Sequence, residues 1–349
     1  MAAPQGLRPG KNGGTRCVGP NAAGSPALRL HIALVACETH ARMTTALLFP
    51  GQGSQRVGMG RDLAIEYPTA KRTYEEADEV LGFSLSKLCW EGPEDDLTLT
   101  KHTQPAILTT SIAVFRVLVQ KGLTFDIVAG HSLGEWSALV AAGAIELKDA
   151  MRLTHLRGTY MQDAVPVGQG SMAALIGLDL DKTRALCEQA SQPGEPVEPA
   201  NLNGAGQIVI SGHVNAVDRA IANSKAAGAK LAKKLPVSAP FHCSLMKPAA
   251  DRLAEAMTGL ALKPPSVPVV ANVTAEPTQD PAQIQRLLIQ QVTAPVRWEE
   301  SVQAIAKLGV TVAYELGSGA VLKGLVKRIA PEMTVTTIGE PHEVAQFTA

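Results

Sequence analysis

The chain has 349 residues, enough for one large domain or two of ordinary size, and is 46% hydrophobic against 18% charged, which allows a large core and argues against global disorder. Lys+Arg and Asp+Glu are both 32, so the basic excess of a nucleic-acid binder is missing. Five cysteines (17, 37, 89, 187, 243) without CxxC spacing argue against a disulfide framework or a structural zinc site and for a reducing cytoplasm. No apolar run approaches the roughly 20 residues of a membrane-spanning helix.

Residues 1–42 are rich in Gly, Pro and Ala without a helical or strand period, and read as a disordered extension. The short apolar stretch "LRLHIALVAC" inside it resembles the core of a secretory signal, but His31 interrupts it; too few serines accompany it for an organellar transit peptide. Folded sequence is expected to begin near Met43. "TTALLFP" (44–50) predicts a buried strand, followed by the glycine-rich turn "GQGSQRVGMG" and a polar helix over 67–82. Residues 104–122 predict a long apolar helix closed by Gly122. "FDIVAG" (125–130) is a strand that runs into "GHSLGEWSAL", and 133–145 a helix.

Between 166 and 240 the order becomes βαββαβ, with strands at 171–178, 197–202, 207–212 and 230–238 and helices at 181–190 and 214–228. That is the ferredoxin-like arrangement, read as a small domain inserted into a larger one made of 43–165 and 241–349. The α/β rhythm then resumes: strand 267–273, helices 281–291 and 298–308, strand 311–316, a GSG turn and helix 320–330. The fold expected is α/β, an α/β-hydrolase-like parallel-sheet core with an inserted ferredoxin-like subdomain. Ligands in such sheets bind at the carboxyl ends of strands, where both the 51–55 turn and the segment 130–134 would lie.

Gly130, Ser132 and Gly134 spell G-x-S-x-G, the pattern of a nucleophile elbow between a strand and a helix. A serine needs a base, and histidine is the usual one. His31, His40 and His342 lie in the extension or the tail, and His131 diverges from its neighbour Ser132 on a tight turn. His242, where the chain returns from the inserted segment, competes on spacing with His102, His155 and His213. Its neighbour Cys243 reads as a buried, inert thiol. A phosphate loop is excluded at both glycine-rich turns, because Arg56 and Leu322 stand where the third glycine of G-x-G-x-x-G is needed.

Five blocks, "LLFPGQGSQRVGMG", "GHSLGEWSAL", "RGTYMQ", "APFHCSLM" with "KPAADRLAEAM", and "ELGSGAVLKGL", occur in the order and spacing of the malonyl-CoA:acyl carrier protein transacylases, so residues 44 to 340 resemble that family. Trp136 and Ser318 depart mildly from its common pattern. The resemblance implies Ser132 as the acylated nucleophile, His242 as its base and the backbone carbonyl of Gln291 as the orienter of the imidazole. No aspartate stands out for that third role, since Asp179, Asp181 and Asp218 sit on polar stretches. It further implies Gln52 and Leu133 as N–H donors to the oxyanion, Arg157 as the partner of the malonyl carboxylate, with Arg152 weaker, and Phe241 as the residue that narrows the pocket beside the α-carbon. Asn203 and Gln207 resemble rim residues, or belong to a polar hairpin loop.

The function so implied is transfer of malonyl from malonyl-CoA to the phosphopantetheine thiol of acyl carrier protein for fatty acid synthesis, by a monomer in the cytoplasm, with no cofactor, metal, nucleic acid or membrane. A polyketide pathway, a serine hydrolase with water as acceptor, and a non-catalytic docking module are the alternatives. Carrier proteins are acidic, and "KAAGAKLAKK" (225–234) with Lys323, Lys327 and Arg328 supplies either a local positive surface for one or a solvated face.

Overall fold

Residues 44–237 and 239–348 are described by a computed structural model; the expectations for 1–42 and for the start at Met43 lie outside them. Alternation along the first strand decides the architecture. In β1 (Thr45–Phe49), Leu47 and Phe49 enter one apolar cluster and Ala46 and Leu48 another, so both faces of the strand are buried. That two-sided burial is the mark of a central parallel strand. Its neighbours are β2 (Ile127–Gly130) and β9 (Val312–Leu316), both parallel to it. The six-stranded sheet runs β10-β9-β1-β2-β7-β8, with β7 (Val269–Val270), β8 (Pro277–Thr278) and β10 (Thr334–Ile338) completing it, and β8 as its antiparallel edge. The fold is therefore mixed α/β with a mainly parallel sheet. Pairing of Phe49 with Gly130 ends β1 and β2 side by side, which sets the glycine-rich turn against the G-x-S-x-G turn.

A second, four-stranded sheet, ordered β4-β5-β3-β6, is antiparallel throughout. It comprises β3 (Gly170–Ile176), β4 (Val197–Gly204), β5 (Gln207–His213) and β6 (Leu231–Lys234). Helices Leu180–Ala190 and Val214–Ser224 cover the face that carries Ala173, Leu175 and Ile210. The opposite face sends Met172, Ala200 and Val209 into the main core. Backbone bonds of 2.8 and 2.9 Å between Val296 and both Leu202 and Ala200 tie β4 to the chain beside the large sheet.

The long helix begins at Thr100, four residues before the expected start, and keeps Pro105 inside it. Proline has no N–H, so the carbonyl of Lys101 loses its helical partner. His155 Nδ1 donates to that carbonyl at 2.8 Å from the helix Leu147–Asp163. Gly158 permits the approach, since a Cβ there would overlap the Thr100 carbonyl. The strand expected over 267–273 pairs only at Val269–Val270, because the chain leaves the ladder to deliver Asn272 elsewhere. β10 and the terminal helix Pro341–Gln346, whose capping box joins Glu340 and Glu343, went unread beyond the helix Val321–Ile329.

Candidate active site

Ser132 adopts φ 51°, a left-handed conformation that costs a non-glycine residue of order 1 kcal/mol or more and lifts the side chain out of the turn. The flanking glycines make the turn possible: a Cβ on Gly130 would overlap Gly134, and one on Gly134 would overlap the Phe49 carbonyl at the end of β1. The Ser132 N–H donates to Asn272 Oδ1 at 2.7 Å, while Asn272 Nδ2 donates to the Gly130 carbonyl at 2.7 Å. One asparagine thus braces both sides of the strained residue.

His242 Nε2 lies 2.7 Å from Ser132 Oγ. Its Nδ1 lies 2.8 Å from the main-chain oxygen of Gln291. A carbonyl can only accept, so Nδ1 carries the proton and Nε2 is left to accept from the serine hydroxyl. Burial first, then the charge of Arg157, lowers the imidazole to about 3, which keeps it neutral at pH 7. Spacing had left three rivals open. His102 and His155 stack on each other on neighbouring helices, with their Nδ1 atoms on backbone carbonyls, and His213 caps a helix by accepting from the Asn215 N–H. Cys243 is fully buried, and burial pushes its thiol up to about 11.

Arg157 is 1% exposed. Its Nη1 donates to Gln104 Oε1 at 2.9 Å, and its Nη2 donates to Gln291 Oε1 at 2.9 Å and to Ser132 Oγ at 3.3 Å. Burial lowers the guanidinium to about 10, so it stays charged at pH 7. Arg152 is exposed on the same helix. Glu135, in the first turn of helix Gly134–Ala141, is buried nearby, and burial raises its carboxyl to about 7 against the bonds from Asn272 and Gln291.

Two backbone N–H groups, of Gln52 and Leu133, have no acceptor among the described residues. Gly51 lets the first turn approach, since a Cβ there would overlap the His131 carbonyl. Gln52, Leu133, Ser132, Arg157, Phe241 and His242 line one cavity of about 120 Å³. Its remaining wall is Gln104, His131, Met161, Met172, Asn201, Leu235 and Val237. Asn203 stands behind this wall, accepting from His131 Nε2 at 2.9 Å, and Gln207 sits at the β4–β5 hairpin tip, accepting from Arg328 at 2.9 Å. Neither lines the cavity; Asn201, on the same strand as Asn203, does. Asn201, Gln104, Glu135 and Asn272 carried no sequence signal, because burial of an isolated polar residue has none. Among the described residues no three His, Cys, Asp or Glu side chains are grouped to hold a metal ion, and no helix is long and apolar enough to cross a membrane.

Residues 46–339 match the family model for the acyl transferase domain. The chain is 49% identical over 301 residues to the malonyl CoA-acyl carrier protein transacylase of Escherichia coli K12, covering 86% of this chain and 97% of that one. An acyl carrier protein S-malonyltransferase from Vibrio cholerae superposes with a TM-score of 0.84 at 48% identity, over 86% of this chain and 99% of its own. A malonyl-transacylase solved in complex with a type II polyketide synthase acyl carrier protein gives a TM-score of 0.84 at 46% identity, over 86% and 98%. The chain belongs to the acyl transferase domain family.

Proposed function

We propose that the protein is an acyltransferase that moves malonyl from malonyl-CoA to the phosphopantetheine thiol of an acyl carrier protein through an ester on Ser132. The observation that carries this reading is the approach of one buried guanidinium, Arg157, to the same serine oxygen that His242 holds at 2.7 Å. A free carboxylate on the acyl group needs a fixed cation in a dry pocket, and a planar guanidinium suits it.

In the first half-reaction, Ser132 Oγ attacks the thioester carbon while its proton passes to His242 Nε2. The carbonyl oxygen gains the negative charge, which the N–H groups of Gln52 and Leu133 are placed to receive. The C–S bond breaks, and the imidazolium returns the proton to the sulfur of coenzyme A. In the second half-reaction the carrier's thiol gives its proton to His242 and attacks the ester carbon; the C–O bond breaks, and the imidazolium returns the proton to Ser132 Oγ. The Gln291 carbonyl holds the imidazole in the working tautomer throughout. Thioester is exchanged for thioester, so no energy source is required. A hydrolase reading places an acid on His242 Nδ1, where the carbonyl of Gln291 stands.

We read 43–165 with 241–349 as the large domain, α/β-hydrolase-like, and 166–240 as a ferredoxin-like insertion. The β4-β5-β3-β6 order with two helices on one face supports that reading. The carrier is expected to dock on the basic residues about the small sheet. There Lys234 is paired with Asp218, while Lys225, Lys230 and Lys233 have no ion-pair partner among the described residues. We assign the malonyl carrier product to fatty acid synthesis, by a cytoplasmic monomer. The relative solved with a polyketide carrier favours polyketide synthesis as the second reading.

Intact-protein mass after brief mixing with malonyl-CoA, then with carrier protein, tests the proposal. A malonyl adduct that is lost on Ser132→Ala and moves to the carrier is the expected result. An adduct that decays equally fast without carrier means a hydrolase, and no adduct overturns the catalytic reading.

A further inference from the structure

The mechanism leaves the buried carboxyl of Glu135, beside the reacting groups, without a task. Glu135 is 3% exposed, three residues beyond Ser132, and makes no direct ion pair among the described residues. Its Oε2 accepts from the Asn272 N–H at 3.0 Å and from Gln291 Nε2 at 2.7 Å. A carboxylate in a core is costly unless a specific arrangement needs it.

The need lies at Gln291, which serves two reacting groups at once. Its main-chain oxygen accepts from His242, and its side-chain Oε1 accepts from Arg157 Nη2 at 2.9 Å. An amide has two ends of similar shape. Turned over, it would point Nε2 at the guanidinium, donor against donor, and leave Arg157 without that anchor. What opposes the flip is the set of acceptors about Nε2: Glu135 Oε2 at 2.7 Å, the Ser132 carbonyl at 3.1 Å and Asn272 Oδ1 at 3.3 Å. The contact to Glu135 is the shortest of the three, and the Asn272 N–H keeps that oxygen turned toward Nε2.

We infer that Glu135 is a positioning residue for acyl-group selection: by fixing the amide of Gln291 it aims Arg157 at the acyl carboxylate, and so sets the preference for malonyl over acyl groups that lack the carboxylate. This rests on the malonyl reading of the site. The chain of contacts is Glu135 to Gln291 to Arg157, and Gln104 holds the other guanidinium nitrogen. Acetyl-CoA has no use for Arg157, so loosening this chain spares it.

The test is the rate constant for Ser132 acylation by malonyl-CoA and by acetyl-CoA in the full chain, with Glu135→Ala and Glu135→Gln. In Glu135→Ala the malonyl-to-acetyl ratio of kcat/KM values is expected to fall about tenfold, the scale of one buried hydrogen bond left unmade, mainly through the malonyl KM. Glu135→Gln should keep the ratio within about threefold of wild type. The Asn272 N–H selects its oxygen for the Oε2 position, and the Oε1 position has no hydrogen-bond partner among the described residues to lose. Should Glu135→Ala not fold, Glu135→Asp, which withdraws the carboxylate by one methylene, is expected to give the same loss of ratio. In an Arg157→Ala background none of these changes should move the ratio. Equal loss for both acyl groups would mean a role in folding alone, and a Glu135→Gln ratio as low as that of Glu135→Ala would mean a charge effect; either overturns the inference. A wild-type protein that forms no malonyl adduct would instead sink the malonyl reading on which it rests.

Discussion

The two sides of the cavity are built differently. The floor, on the carboxyl ends of β1 and β2, is polar: Ser132, His242, Gln291, Asn272, Glu135 and Arg157 form one hydrogen-bonded set. The wall, from the small sheet and the chain that returns from it, presents Met172, Leu235, Val237 and Phe241. Floor atoms are fixed by directional bonds of 2.7 to 3.3 Å, so displacing one misplaces the next. Wall atoms are fixed by packing, which tolerates exchange of similar volumes. Changes to the floor should therefore alter the chemical step or the recognition of the acyl carboxylate, and changes to the wall should alter how much acyl bulk fits.

The largest effect should come from His242. In His242→Ala the serine keeps its place on the elbow but loses the acceptor of its proton. Acylation by malonyl-CoA in stopped-flow quench should fall about 10³- to 10⁴-fold, the range of a lost general base. A fall of less than tenfold would mean that another group serves as base, and the floor would not be the single unit described above.

Arg157→Ala comes next and should separate acyl groups rather than stop the reaction. Loss of a buried charge-assisted partner should cost malonyl acylation about 10²- to 10³-fold, while acetyl acylation holds or rises. It should also move a pH limit. Burial and then the Arg157 charge hold His242 near 3, and the second cause disappears with the guanidinium. The imidazole must be neutral to act, so a raised value costs activity at low pH. The acid limb of the acetyl rate profile should therefore shift to higher pH in Arg157→Ala. An unmoved limb would mean that desolvation alone sets the basicity of His242. Bound malonyl should act in the same direction, since its carboxylate offsets the cation that suppresses the base.

The floor was legible in the sequence where a backbone rule writes it and illegible where only tertiary contact does. Gly130 and Gly134 are required by the close approach of β1, and so G-x-S-x-G signalled Ser132 directly. His242 lies 110 residues beyond Ser132, and its place where the chain returns from the inserted segment favours it only slightly over His102, His155 or His213; the resemblance to a family singled it out. Glu135 and Asn272 look like any polar residues near a helix start or a strand end. Only the fold shows that both are buried and that the Glu135 carboxyl accepts from the Asn272 backbone N–H. The wall was read less well. Asn203 and Gln207 were open between the rim and a polar hairpin loop; β4 extends about 3.3 Å per residue and carries Gln207 to the hairpin tip, while Asn203 bonds His131 behind the cavity. The βαββαβ order was visible because each strand is short and flanked by Gly or Pro, whereas edge strand β10, "TVTTI", lies next to no motif and has an exposed face.

The smallest effect should come from the wall. Phe241 is 8% exposed, immediately before His242, and its ring faces the cavity in which the acyl α-carbon must lie. Phe241→Leu keeps the site apolar and removes the far edge of the ring without touching the Ser132–His242–Gln291 bonds. Malonyl acylation should stay within about threefold of wild type, while methylmalonyl acylation should rise about tenfold, the scale of one methylene in a hydrophobic pocket. Competition between the two thioesters, read as the ratio of adduct masses on Ser132, checks this directly. If malonyl acylation falls as far as in Arg157→Ala, the ring is bracing His242 and belongs to the floor. If the ratio does not move, the width of the pocket is set by another residue of the wall, Met172 on β3.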